Sequence, residues 1–312
     1  MESTICNLCG QDRPEPYALL PDLLLGRPDV ITQLVKCANC GLVYQNPRPT
    51  LAEMSDHYPA EYESYDPSPD PESMSWPARQ GFLYGRRKRM RAVTRFSTGG
   101  ELLDVGCAAG TFLLGMRELP SWQVQGVEVS PHAAEIARSR FGLKVFTGTL
   151  EAAEFPAESF DAVTLWDVFE HLHSPAATLD EIYRILRPGG VLVMRLPNLD
   201  AWDAKWFGDN WAGLDAPRHT YVFGRQPLRR MVRQQGYVVR RMATEMGGYM
   251  VFVLSLRFRM QRRGLSTLRQ ERLSRLLYHP IARLLSIPFF YVLGLGQKGP
   301  LLTLTAEKVT HD

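Results

Sequence analysis

Glu101-Leu-Leu-Asp104-Val-Gly106-Cys107-Ala-Ala-Gly110 is the stretch whose reading decides the fold. A short apolar run carries an acid near its end, breaks at Gly106 and Gly110, and passes into the helix-like pattern Thr111-Phe-Leu-Leu. A strand that turns through glycines onto a helix N-terminus is the nucleotide-binding corner of a doubly wound α/β sheet. The glycines let the backbone approach a ligand, and the helix end offers free N–H groups. The dinucleotide fingerprint would want glycines at 106, 108 and 111. Here Ala108 and Thr111 occupy the last two of those positions.

The acid ahead of the turn selects the ligand further. It repels a pyrophosphate but receives a cation. S-adenosylmethionine carries an ammonium and a sulfonium and no phosphate, so it suits this loop better than a dinucleotide. Glu128 lies eighteen residues after Gly110, in Gly126-Val-Glu128-Val129-Ser130. It ends a second strand, where a carboxylate accepts both ribose hydroxyls.

Four motifs in order carry a resemblance. Leu102-Leu-Asp104-Val-Gly106-Cys-Ala-Ala-Gly110, Gly126-Val-Glu128-Val-Ser130, Phe160-Asp-Ala-Val and Leu186-Arg-Pro-Gly-Gly190 resemble those of class I S-adenosylmethionine-dependent methyltransferases, over about residues 85 to 308. The resemblance implies a Rossmann-like seven-stranded sheet whose last strand, 301–308, is antiparallel. It implies a cofactor site of Asp104, Gly106, Cys107, Gly110, Glu128 and Val129. Thr149 and Leu150 stand in the turn that faces the adenine, and Trp166 and Asp167 touch the methionine end or the acceptor. Expected strands are 101–106, 122–128, 143–147, 160–165, 191–196 and one from Gly236, with helices at 110–119, after Ser130-Pro131, at 175–186 and at 226–235. The Asn- or Asp-Pro-Pro-aromatic motif of enzymes that methylate base amines is missing after strand four, which argues against a nucleobase substrate.

Four of the five cysteines form two knuckles, Cys6-x-x-Cys9-Gly10 and Cys37-x-x-Cys40-Gly41. Two thiolates on each tight turn make a structural tetrahedral zinc site. Disulfides, which a reducing compartment disfavours, and a chance spacing are the alternatives. The knuckles lie in a module at 1–47, with short strands at 31–35 and 41–44, that needs such a staple. Its Cys-x-x-Cys-Gly-Leu-Val-Tyr-Gln-Asn-Pro-Arg-Pro-Thr run resembles the N-terminal zinc module of bacterial sugar and small-molecule methyltransferases. Residues 48–97 read as a connector, with Tyr58, Tyr62 and Tyr65 as anchors of a lid or of an ordinary linker, then a basic helix at 82–96. The methyltransferase domain is expected at 98–250 and 297–312.

The aromatic stretch 199–225 after strand five is placed to shape an acceptor pocket. His219 within it is the candidate base, since methyl transfer needs alignment and removal of the acceptor's proton. In similar zinc-module sugar C-methyltransferases a Glu-His-x-x-Tyr motif supplies the base, which implies catalytic roles for His219 and Tyr221. Here Arg218 precedes the histidine, and the tyrosine follows after two residues instead of three. A histidine that merely packs the insertion is the alternative. His171 reads as a structural hydrogen-bonder more than a base.

Residues 251–296 hold eight arginines and one acid, a net charge of +7 in a chain of +3, beside the uncharged apolar run 284–295. Twelve residues are too few to span a bilayer. Arginines flanking an apolar, aromatic stretch suit an anionic membrane surface, with a homodimer contact or packed helices as alternatives. No basic aromatic groove for RNA is visible, so nucleic acid is not expected. Neither a signal peptide nor a spanning segment is evident, so the expected place is the cytoplasm, peripheral to the membrane. The expected function is methyl transfer to oxygen or carbon of a sugar, a glycolipid precursor or a phenol-like lipid. A zinc-ribbon RNA methyltransferase and a silent cofactor-binding scaffold are the alternatives.

Overall fold

Two sheets organise the chain, and one short strand joins them. The computed structural model describes residues 1–58, 74–244 and 248–309. In chain order the elements are β1 Pro14–Asp22, β2 Arg27–Cys37, β3 Val43–Gln45, α1 Leu51–Met54, α2 Trp76–Thr94, β4 Gly100–Val105, α3 Thr111–Arg117, β5 Trp122–Glu128, α4 Pro131–Ser139, β6 Lys144–Thr147 and β7 Phe160–Trp166. Then come α5 Pro175–Ile185, β8 Leu186–Pro197, α6 Trp202–Phe207, β9 Tyr221–Val222, α7 Arg225–Gln234, β10 Tyr237–Thr244, α8 Gly248–Arg262, α9 Thr267–Leu277, α10 Pro280–Leu295 and β11 Leu301–Lys308.

The large sheet has the order β10-β11-β8-β7-β4-β5-β6. Strands β4 to β8 pair in parallel, and β11 runs antiparallel between β8 and β10. This is the expected doubly wound α/β sheet with its reversed last strand. Helices cover both faces, so central strands read as continuous apolar runs: Leu102, Leu103, Val163, Leu165, Leu192 and Met194 are all sealed from solvent. The chain order reverses between β4 and β7, so the crevice at their C-terminal ends is where an open α/β sheet binds its ligand. Ser130 caps α4 by accepting from the Ala133 N–H, with Pro131 in the first turn.

Several boundaries differ from expectation. Strand β8 begins at Leu186, ahead of the Pro188-Gly189-Gly190 turn signal, because Leu186 already pairs with Phe160 and a register shift absorbs the glycines. The basic helix starts at Trp76, earlier than 82. Tyr62, Tyr65 and the rest of the expected connector at 59–73 lie outside the described residues. The segment 251–296 is three helices. Val253, Ser255 and Phe258 of α8 are buried, so α8 belongs to the body of the protein, while α10 is largely exposed.

The small sheet has the order β1-β2-β3-β9. Its fourth strand comes from the insertion after β8, so the boundary expected at residue 47 does not separate two structures. Tyr44 pairs with Tyr221 and Val43 with Val222. A buried ion pair reinforces this seam. Arg218 and Asp22 are both fully buried, with Nη2 2.8 Å from Oδ1, and Asp215 accepts from the same guanidinium at 2.7 Å. Removing one partner of such a pair strands a charge in the interior. Asp22→Ala is expected to lower stability by roughly 3 kcal/mol, read as a fall in the denaturant midpoint at unchanged slope. An unaltered midpoint would show that the pair is not holding the sheets together.

Candidate active site

The glycine turn is built as the crevice requires. Gly106 has φ +70°, and a Cβ there would stand 2.5 Å from Val168; at Gly110, with φ +80°, it would stand 2.2 Å from Leu143. The positive φ and these neighbours disfavour a side chain at both, so the turn is kept to bare backbone. Glu128, at the end of β5, accepts the Ala108 N–H through one oxygen and the Ser130 N–H through the other, each at 2.8 Å. It thereby fixes the turn while keeping lone pairs for ribose hydroxyls. Val129 beside it is exposed at the rim.

Asp104 lies beneath the turn, 2 % exposed, and its Oδ1 accepts from the Thr164 hydroxyl at 2.6 Å. Burial raises its pKa to about 7, against the pull of Thr164 and Arg89. Trp166 and Asp167 follow at the end of β7. The Trp166 ring packs on Phe112, Arg89 lies 5.7 Å above it, and its Nε1 is buried without a partner. Burial acts to raise the Asp167 carboxyl, but the paired Arg195 guanidinium overrides it and holds the group below its ordinary value.

Other expected contacts are placed differently. The Cys107 thiol turns inward, where a Cβ on Gly126 would meet it at 2.4 Å, so only its main chain belongs to the turn. Leu150 is buried in the core. Exposed Thr149 accepts from the Ala152 N–H and caps the turn after β6.

His171, after β7, and His219, in the insertion after β8, meet edge to face with ring centroids 4.6 Å apart. His219 Nδ1 lies 2.9 Å from the Gly213 carbonyl, which can only accept, so Nδ1 carries the proton and Nε2 is the free base. His171 Nδ1 lies 3.0 Å from the Arg218 carbonyl and 2.9 Å from the Tyr58 hydroxyl. Burial holds both imidazoles below the ordinary histidine pKa, His171 at about 3. Glu170 is buried, its Oε2 has no partner, and its carboxyl is pushed well above the usual range by burial and by Asp167. Its Oε1 stands 4.0 Å from His219 Nε2, and Asp215 Oδ2 stands 3.9 Å from the same nitrogen.

Tyr221 does not join this cluster. Its hydroxyl donates to the His173 carbonyl and accepts from Arg48, each at 3.2 Å, and burial pushes its pKa up to about 12. The residue expected as a catalytic partner is a pin between the two sheets.

The residues that reasoning from sequence missed are Arg89, Glu170, Arg195, Asp215 and Gln45. The fully buried Gln45 donates from Nε2 to the carbonyls of Pro217 at 2.6 Å and His219 at 2.9 Å, so the small sheet grips the backbone of the candidate base. Only Glu170 carried a local signal, as the acid beside His171.

Cys6, Cys9, Cys37 and Cys40 converge, with Cys6 and Cys40 sulfurs 3.4 Å apart and Cys9 and Cys37 sulfurs 3.6 Å apart. Four thiolates about 2.3 Å from a zinc ion would be separated by about 3.8 Å, so the cluster fits one.

Residues 78–241 match the family model described as a methyltransferase domain. Demethylmenaquinone methyltransferase of Symbiobacterium thermophilum is 34% identical over 108 residues, covering 32% of this chain and 43% of that protein. Malonyl-(acyl-carrier protein) O-methyltransferase of Serratia marcescens is 31% identical over 137 residues, covering 44% of this chain and 52% of that one. The chain thus spans about half or less of the length of these relatives. Among solved structures, phosphoethanolamine N-methyltransferase 2 of Haemonchus contortus, in complex with S-adenosyl-L-methionine, superposes with a TM-score of 0.51 at 16% identity, covering 95% of this chain and 69% of that one. That likeness concerns the fold.

A carboxyl that titrates at about 7 and lies beneath the cofactor turn links S-adenosylmethionine binding to pH. In the free protein burial favours the protonated acid, and a bound cation favours the carboxylate. Affinity is therefore expected to rise as pH climbs through about 7, to saturate above it, and to lose this slope in Asp104→Asn. Thr164, Arg89 and Glu128 face the same carboxyl. Equilibrium dialysis across that range is the check, and a flat wild-type profile would refute it.

Proposed function

The chain belongs to the methyltransferase-domain family, and from that premise we propose that it moves a methyl group from S-adenosylmethionine to an oxygen of a sugar, a glycolipid precursor or a phenol-like lipid. The observation that carries this reading is the meeting of His219 with Glu170 and His171, immediately after the strand that ends in Trp166. Methyl transfer is an in-line displacement at a carbon already activated by the sulfonium. What the protein must add is alignment and a route for the acceptor's proton, and the free Nε2 of His219 supports it as the group that receives that proton. Asp104 and Glu128 hold the cofactor, and the main chain from Gly106 to Gly110 lies against it. The O-methyltransferase among the relatives supports oxygen as the acceptor atom.

Zinc in the four-cysteine site is part of the proposal. Four thiolates leave no open position, so the ion is structural. Its effect reaches the acceptor side through β3 and Gln45.

The exposed apolar face of α10 supports a lipid or lipid-linked acceptor. Ile281, Leu284, Leu285, Tyr291 and Val292 are each more than half exposed, and Arg272, Arg275 and Arg283 are exposed close by in sequence. No helix among the described residues is long and apolar enough to cross a membrane. An apolar surface among arginines suits the interface of an anionic bilayer.

Two outcomes test these assignments. With radiolabelled S-adenosylmethionine and fractionated extract, label is expected in the lipid or glycolipid fraction, and His219→Ala should reduce it about a hundredfold or more with cofactor affinity intact. Label in RNA would overturn the substrate class. In sedimentation with phosphatidylserine-containing vesicles, the double change Leu284→Asp and Leu285→Asp is expected to weaken binding at least about tenfold. Unchanged binding would remove α10 from the membrane.

A further inference from the structure

The cluster on the acceptor side has more ligand character than a lone base needs. Glu170, His171 and His219 each bring a donor atom, and these atoms lie within 4.8 Å of one another. The three groups face each other without hydrogen-bonding: the Glu170 and His219 donor atoms stand 4.0 Å apart. Two ligands on one ion at about 2.0–2.2 Å stand about 3–4 Å from each other, and the Glu170–His219 separation lies at the upper edge of that range.

The shell around these groups points the same way. Both histidines commit Nδ1 to a backbone carbonyl, Gly213 for His219 and Arg218 for His171. That leaves the other nitrogen of each ring as a lone-pair donor. An imidazole that donates one N–H to a carbonyl and offers its second nitrogen is the usual setting of a metal-bound histidine. Glu170 is 2 % exposed and its Oε2 has no partner, so a donor atom aimed into the cluster is left unused. The neighbouring acids are already served: Arg195 pairs with Asp167 and Arg218 with Asp215.

We infer that Glu170, His171 and His219 bind one divalent transition-metal ion, separate from the four-cysteine site, and that the acceptor oxygen is its further ligand. Two imidazoles and one carboxylate favour zinc, iron, cobalt or manganese over magnesium or calcium. The inference rests on the reading that His219 stands at the acceptor, and it changes how His219 acts. The nitrogen that would take the proton holds the ion instead. The acceptor O–H bond then breaks with its proton passing to water, and the electron pair stays on oxygen. That pair forms the bond to the methyl carbon as the carbon–sulfur bond breaks, and the bonding pair returns to sulfur.

Cobalt(II) reads the site without an acceptor. The full-length protein, with its cysteines filled by zinc, is titrated with Co2+ and followed by visible absorption. The expected result is d–d bands without thiolate charge-transfer absorption, saturating at one equivalent. Glu170→Gln and His219→Ala should abolish them, with S-adenosylmethionine affinity retained as the sign of an intact fold. Failure to develop bands, bands carrying thiolate charge transfer, or bands that persist in both variants would overturn the inference. If the bands fail while label transfer still requires His219, the histidine is an unassisted base and the methyl-transfer reading stands. If the bands behave as expected and no fraction is labelled, the ion site stands and the transfer reading falls.

Discussion

A guanidinium with no access to water must be neutralised where it lies, and the proposed acceptor side of this protein depends on that requirement at Arg218. Two carboxylates approach it, Asp22 from the end of β1 and Asp215 from the insertion after β8. Asp215 reaches it from three residues away on the same segment, and Asp22 only because β1 is docked there. Asp22 is held in turn by Arg27, at 2.6 Å, and by the Leu25 N–H. The ion pair therefore works as a register mark. It allows the small sheet one seat against the insertion, and the residue after Arg218 is His219. The Arg218 carbonyl also receives His171, so a single buried residue positions both rings of the acceptor cluster.

This gives the four-cysteine module a role beyond its own stability. From Cys40 the chain runs through Gly41 and Leu42 into β3, and β3 ends in Gln45, whose amide holds the backbone at Pro217 and His219. On the other edge of β3 the long β1–β2 hairpin carries Asp22 to Arg218. A sheet of this size buries too little apolar surface to stay ordered alone. A metal that locks the knuckles would hold the small sheet, and through it the candidate base. The cofactor side needs none of this, because Glu128 and the glycine turn are fastened within the large sheet.

That division explains what could be read from sequence. The cofactor side is local in the chain: strand, glycine turn, helix and the acid of the next strand follow within thirty residues of Glu101, and each obeys a short-range rule. The seven-stranded sheet with its reversed last strand comes from the resemblance that these motifs carry. The acceptor side is not local. Arg218 and Asp22 are 196 residues apart, and Gln45 and His219 174. Strand β1 escaped notice because Pro14, Pro16 and Pro21 argue against a strand, yet an edge strand tolerates them. Tyr221 was misread for the opposite reason. A motif resemblance suggested chemistry, but its hydroxyl had partners in Arg48 and His173 that no local pattern reveals.

The charges of the acceptor cluster fit the electrostatics of methyl transfer. In the proposed transfer a cationic sulfonium meets an oxygen that bears negative charge, and both charges vanish as the bond forms. A surplus of carboxylates would favour the bound cofactor and oppose the approach of an anionic oxygen, leaving the transition state worse served than the ground state. Here Asp167 and Asp215 are neutralised by arginines, and Glu170 is left. If it keeps its proton, as burial alone would have it, the site is neutral but offers the oxygen nothing positive to lose its proton against. A cation shared by Glu170 and the two imidazoles would cancel the remaining carboxylate and hold a positive charge beside the oxygen before the sulfonium arrives. The unpartnered oxygen of Glu170 and the Nδ1 contacts of the two rings are thus features of one electrostatic solution.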